Sequence, residues 1–270
     1  MASSSDAAKP VRGFLPPQND AEHRLMRRVE ELCNLARSRG IPRYTGFLSD
    51  REQVLARAAA NRAGCDCIRF WGGYPGAERQ VLCIEPPEAW QQDPVACLRI
   101  TAHLAAGQAA PQHRDLLGAV LGLGIERVCL GDIRPDPDAP GTSYLFLLED
   151  KVEFVAANLF EAGRTRVSAE PCDTPPETVL AEPEREIRQG TVSSLRADSV
   201  LGAMLHISRG QAAALISEGR VEVGHVPLRS AHEPVFEGDL FTVRGKGRFR
   251  LCEVGGKSRS DRTFIRFFQY

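Results

Sequence analysis

The chain has 270 residues, 43% of them apolar and 26% charged, with a net charge of −1. That is ordinary for a folded protein and long enough for two or three domains. It contains no run of about eighteen apolar residues, which excludes a transmembrane helix. Residues 1–14 open with Met-Ala-Ser-Ser-Ser and lack the apolar core of a secretory signal, so they are expected as a disordered tail on a cytoplasmic protein. The eight cysteines are scattered and form no C-x-x-C pair; the closest are Cys65 and Cys67. Zinc sites want C-x₂₋₄-C pairs or Cys/His pairs at metal spacing, so free thiols are expected, with no metal and no cofactor.

Charge is unevenly placed. Thr191 to Tyr270 carries 12 Lys and Arg against 8 Asp and Glu, whereas the first 190 residues hold 22 against 27. Such asymmetry suggests a polyanionic partner for the C-terminal end.

In chain order, Leu25, Val29, Leu32 and Ala36 recur at helical spacing and predict a helix over 19–39, stopped by Gly40 and Pro42. Ser49 and Glu52 make a capping box for a helix through Ala60. Two short apolar runs, 67–71 and 81–85, flank a Gly-Gly-Tyr-Pro-Gly turn and predict a strand pair. These elements make an N-terminal α+β region over 15–90.

Residues 91–170 then read as strand 98–103, helix 114–121, strand 127–133, strand 144–148, helix 151–159 and strand 166–169. This βαββαβ order is that of ferredoxin-like and RNA-recognition-motif folds. Tyr144 and Phe146 share one strand face and could stack bases, or be core. Residues 171–190, rich in Pro, Glu, Asp and Thr, read as a linker. The expected class is α+β, with a third domain over 191–270.

In that last domain Ser193 or Ser194 can cap a helix striped by Ala197, Val200, Leu201, Met204 and Leu205. Ser208 and Gln211 form a capping box for a second helix, ended by Gly219. Arg209 would sit in its first turn, where the helix dipole disfavours a cation by roughly 0.3–1 kcal/mol. Either a phosphate docks there or the side chain points into water. Two strands follow, 220–223 and 240–243, with turns at Gly224-His225 and Gly238-Asp239. If the second strand continues, Arg244, Lys246, Arg248 and Arg250, two apart, project from one face and can track phosphates.

The residues Leu195-Arg196-Ala197-Asp198, Ser208-Arg209-x-x-Ala212, Ile216-x-x-Gly219-Arg220-Val221-x-Val223 and Gly238-Asp239 resemble the S4-type, or αL, RNA-binding domain over about 192–250. Phe47-Leu48-Ser49-Asp50-Arg51-Glu52-Gln53, His113-Arg114-Asp115-Leu116-Leu117-Gly118-Ala119, Gly122-Leu123-Gly124-Ile125 and Gly245-x-Gly247-Arg248-Phe249 resemble the bacterial YlmH family. That resemblance implies an RNA-binding domain of RNA-recognition-motif shape ahead of a C-terminal S4-like domain. It also implies a ribosome-associated role, handling stalled large subunits that carry peptidyl-tRNA, with a link to cell division. It places Arg196, Ser208, Arg209, Gln211 and Arg220 along the RNA groove. The partners expected are rRNA or tRNA and the large subunit, with no membrane, for a monomer.

S4-type domains also accompany enzymes. A pseudouridine synthase needs an Asp in an Arg-Leu-Asp context within a large catalytic domain; here the similar run, Arg196-Ala197-Asp198, lies inside the RNA module. Gly122-Leu123-Gly124 follows a helix and precedes a strand, the reverse of a nucleotide-binding turn. His113 and Asp115 read as helix caps rather than parts of a triad. A non-catalytic RNA-binding protein is therefore expected. The alternatives are an RNA-modifying enzyme, or a protein-binding adaptor acting through the acidic first two-thirds.

Overall fold

A computed structural model describes residues 14–90, 92–181 and 185–270; the expected tail lies almost wholly outside them. The described chain is α+β and divides into two compact units, one of residues 17–181 and one of residues 14–16 with 185–270.

The first unit opens with α1 (Asp20–Arg39). The Asn19 side chain accepts from the Glu22 amide at 2.9 Å, and Gly40 closes the helix at φ 62°, a left-handed position that suits glycine. Next come β1 (Arg43–Leu48), α2 (Asp50–Arg62), β2 (Ile68–Trp71) and β3 (Gln80–Ile84). The expected capping box holds: Glu52 accepts from the Ser49 amide at 2.7 Å. β3 is the middle strand of an antiparallel sheet ordered β1-β3-β2. Strand alternation splits its side chains: Leu82 and Ile84 pack under α1 and α2, with Met26, Val29, Leu55 and Ala59, while Val81 and Cys83 face the other way. Arg51, buried between the helices, pairs with Glu22 at 2.9 Å.

The unit continues with β4 (Val95–Ala102), α3 (His113–Gly122), β5 (Leu130–Pro135), β6 (Thr142–Leu148), α4 (Val152–Asn158), β7 (Glu161–Ala162), β8 (Thr165–Pro171) and α5 (Glu177–Leu180). The sheet order β5-β6-β4-β8-β7 is the ferredoxin-like arrangement that the βαββαβ pattern predicts. One face carries Leu98, Ile100, Leu145 and Leu147 against α3 and α4. The opposite face carries Cys97, Tyr144 and Phe146, and it is covered by Phe47, Val81 and Cys83 of the first sheet and by Val179 of α5. The unit is thus a four-layer stack of helices, sheet, sheet and helices.

Two features lock its inner layers. Asp132 accepts from the Tyr74 hydroxyl at 2.8 Å and from the Glu78 and Arg79 amides at 2.8 and 3.2 Å. At Gly131 the Phe47 ring approaches so closely that a Cβ would lie 2.6 Å from it. Tyr144 and Phe146, 4% and 1% exposed, cannot present rings to a base; the stacking reading is corrected to core. The supposed linker over 171–190 is also corrected. Val179 is buried in the first unit, and residues 188–192 join the sheet of the second.

In the second unit, β9 (Arg188–Val192) precedes α6 (Ala197–Leu205) and α7 (Arg209–Ser217). Then follow β10 (Val221–Val223), β11 (Val226–Pro227), β12 (Leu240–Val243), β13 (Gly247–Lys257) and β14 (Thr263–Gln269). They form an antiparallel sheet ordered β11-β10-β12-β13-β14-β9. The α6–α7 hairpin covers one face, burying Val200, Leu201, Met204, Ala212 and Ile216 on Val221, Phe241, Phe249, Leu251 and Phe267.

Candidate nucleic-acid interface

α6 begins after Arg196 rather than on a Ser193 or Ser194 cap. Its first amides are satisfied from outside the helix: Ala197 donates to the Glu233 carbonyl at 2.9 Å and Asp198 to the Ala231 carbonyl at 3.0 Å. The loop that supplies these carbonyls is itself braced, since Glu233 Oε1 accepts from the Arg229 and Ser230 amides, each at 2.9 Å. The N-terminus of α6 is therefore occupied by its own chain, and main-chain geometry holds that loop beside Arg196.

α7 is capped as its sequence predicts. Ser208 Oγ accepts from the Gln211 amide at 3.2 Å, and Gln211 Oε1 accepts from the Ser208 amide at 3.0 Å. These two side chains fix the hairpin joint. Arg209, in the first turn of α7, takes neither course foreseen for it: its guanidinium donates to Asp198 Oδ2 at 2.7 Å. Arg196 donates to the same carboxylate through Nε at 3.2 Å and Nη2 at 3.1 Å. Arg196 Nη2 also contacts His232 Nδ1.

Asp198 is the centre of this group. Its side chain is 6% exposed, against 35% for Arg196 and 51% for Arg209. Burial by itself would raise the Asp198 pKa, but the hydrogen bonds and charges of Arg209 and Arg196 outweigh it and hold the carboxyl below its ordinary value. One carboxylate against two guanidiniums leaves an excess positive charge at the surface. The arginines are oriented from behind, and their outer N–H groups remain available to a ligand.

The remaining expected residues do not form one stripe. The chain turns between β12 and β13, with Val243 paired to Gly247, and Gly245 and Gly247 adopt φ of 77° and 104°. Arg244 and Lys246 therefore stand exposed on a hairpin tip. Beside them, Arg220 donates to the Arg244 carbonyl at 3.2 Å. Arg248 and Arg250 alternate with core-facing Phe249 and Leu251, so they project from the sheet face opposite the helices. There Arg248 stacks 4.5 Å above the Tyr270 ring, and Arg250 donates to the Tyr270 hydroxyl at 3.0 Å. The expected single-faced run is thus corrected to two places: a tip and the far face. The glycines permitted the turn that the alternating pattern concealed.

Asp198 and His232 are the residues that sequence reasoning did not single out. The signal for Asp198 was Arg209 itself, a cation at the unfavourable end of a helix dipole that needs an anion nearby. His232 carries no local signal, because it reaches Arg196 across 36 positions of sequence. In the other unit Asp115 does cap α3, accepting from the Gln112 amide at 2.9 Å.

No family model matches the chain. Over 226 residues it is 34% identical to the ribosome-associated protein quality control protein P2 of Bacillus subtilis (strain 168), covering 83% of this chain and 86% of that protein. A solved structure described as cell division protein ylmH from Streptococcus pneumoniae matches at a TM-score of 0.47 and 19% identity, over 63% of this chain and 100% of that one. Among the described residues no helix is long and apolar enough to cross a membrane. On the strength of the Bacillus alignment, the chain belongs to the YlmH family.

Proposed function

We propose that this chain is a non-catalytic RNA-binding protein. Its S4-like C-terminal unit binds rRNA or tRNA on the ribosomal large subunit, in quality control of stalled peptidyl-tRNA. The observation that carries the reading is the pair Arg196 and Arg209, held by one buried carboxylate at the joint of a capped helix hairpin. Preset guanidiniums with free outer donors suit phosphate, which takes charge-assisted hydrogen bonds in fixed geometry. The hairpin-tip cations Arg244 and Lys246 extend the positive surface. The name of the Bacillus relative supports the ribosomal setting.

The test is co-sedimentation of purified protein with large subunits across a salt series. Wild-type binding should weaken steeply with salt, by a log–log slope of about 0.7 per single-strand phosphate contact. An Arg196→Ala, Arg209→Ala double variant should bind more weakly and with a shallower slope. Unchanged affinity in that variant removes the groove assignment. Wild-type protein that binds free rRNA but not subunits leaves RNA binding standing and removes the ribosomal setting.

A further inference from the structure

An RNA-recognition motif binds RNA on its open sheet face. In the first unit that face is closed by the chain's own first sheet and by α5. Any RNA contact made by this unit must lie elsewhere.

One end of the ferredoxin-like sheet gathers basic groups from three segments. The loop over 103–112 leaves β4, the first turn of α3 follows it, and the β7–β8 turn closes against both. Three contacts pin them together. The His103 amide donates to the Arg166 carbonyl at 2.9 Å. Gln108 Nε2 donates to Thr165 Oγ1 at 2.8 Å. Gly163, at the turn, lies against the Asp115 side chain, with an added Cβ falling 3.4 Å from it. The assembled end carries His103, His113, Arg114, Arg164 and Arg166, all exposed.

Two carboxylates belong to the same end. Asp115 is committed to the Gln112 amide as a cap, and Arg114 stands 3.8 Å from its other oxygen, with the Arg114 side chain 81% exposed. Glu161 sits opposite Arg166 in the strand register. Among the described residues Arg164 and Arg166 make no ion pair closer than 4.0 Å. Three arginines against two carboxylates thus leave this end with an excess of positive charge. The neighbouring loop is built largely of Ala105, Ala106, Gly107, Ala109 and Ala110, short side chains that let a bulky backbone approach.

We infer that this end of the first unit is a second RNA contact, in which Arg114, Arg164 and Arg166 grip the phosphate backbone without reading its sequence. This rests on the RNA-binding reading of the C-terminal unit and adds a separate site to it. Phosphate is favoured over a base-reading mode because the end offers three exposed arginines beside a loop of small side chains.

The experiment uses the full chain with an Arg114→Gln, Arg164→Gln, Arg166→Gln triple substitution, on exposed side chains whose loss leaves the core intact. Binding to purified large subunits is measured across a potassium chloride series, beside wild type and the Arg196→Ala, Arg209→Ala variant. Loss of three phosphate contacts should lower the log–log slope by about 2 and the affinity by about 10- to 100-fold at 0.1 M salt. Ultraviolet crosslinking of wild type to rRNA should also yield RNA-linked peptides spanning 103–114 and 161–166. A triple variant that keeps wild-type affinity and slope, with no crosslinks in those peptides, overturns this inference while the C-terminal site stands. Wild-type protein that binds no RNA overturns both together. Wild-type affinity for RNA alongside a loss of binding to an acidic peptide assigns the surface to a protein partner and overturns it too.

Discussion

Replacing Asp198 by Asn separates charge from orientation in the proposed RNA groove. The substitution keeps the side chain's shape and removes its charge, so four charge-assisted hydrogen bonds from Arg196 and Arg209 weaken together. Breaking a fully buried ion pair costs about 3–5 kcal/mol. Here the guanidiniums are 35% and 51% exposed, and water can rehydrate them. Screening of this kind brings the expected loss of stability down to about 1–2 kcal/mol. For RNA the arginines keep their charge, but each must now be ordered on binding, at roughly 0.5–1.5 kcal/mol per side chain. The added net positive charge offsets at most about 1 kcal/mol of this at an exposed site. Affinity should therefore fall several-fold, while the salt slope stays at its wild-type value. The double arginine variant should lose both.

The pH dependence gives a second reading of the same residue. The folded-state pKa of Asp198 lies below its ordinary value, so its stabilisation is complete above about pH 4, the unfolded-state value, and drains away as pH falls through the folded one. Urea unfolding of wild type and the Asn variant should differ at pH 7 and at pH 5, and the gap should close in stronger acid. An Asn variant that binds RNA as tightly as wild type would refute the orienting role of the carboxylate.

Other perturbations address the first unit. Gly131→Ala should destabilise it by about 1–3 kcal/mol in urea melts, because the new methyl meets the Phe47 ring and neither inner layer can yield; wild-type stability would mean that the layers are not locked there. Phe146→Ala should cost about 3–5 kcal/mol as a core cavity, and RNA affinity of the still-folded fraction should match wild type; a selective loss of RNA binding would restore the stacking reading. Asp132→Ala strands the Tyr74 hydroxyl and two amides, at about 1–3 kcal/mol for each donor left buried, whereas Tyr74→Phe, which removes one donor cleanly, should cost far less by the same melts. Arg51→Met leaves Glu22 without its buried partner. The Glu22 pKa, which burial would raise, is held low by Arg51 and the Gln18 amide. The variant should lose more stability at pH 7 than at pH 3, and an equal loss at both would remove the ion-pair explanation.

Local rules made much of this fold legible. Asn19 and Gly40 bound α1, the Ser49–Glu52 and Ser208–Gln211 boxes open α2 and α7, and apolar period orders the βαββαβ unit. What escaped depends on distant partners. Arg43–Leu48 has little apolar alternation, yet it becomes β1 because β3 offers an edge. Residues 188–190 look like the end of a linker until β14 pairs with them from more than seventy positions away. Arg244 to Arg250 alternate like a strand, and only the left-handed glycines reveal a turn. At the hairpin joint the Ser208–Gln211 cap and the first-turn Arg209 were readable because they are local, whereas Arg196 came from the family resemblance. The carboxylate that organises the arginines was visible as a residue but not as a hub, since its role exists only once α6 and α7 are packed.

The covered sheet face has a consequence for how the first unit can be taken apart. Phe47, Val81, Tyr144 and Phe146 share one core across the two sheets. Neither sheet can then shed the other without exposing a strip of aromatic and thiol side chains to water. A fragment cut at Pro86-Pro87 would offer that strip to other chains, and aggregation rather than an independent domain is the physical outcome. Residues 17–181 should accordingly melt in a single cooperative transition, and the ferredoxin-like half, although its strand order is that of a free-standing fold, behaves here as half of one.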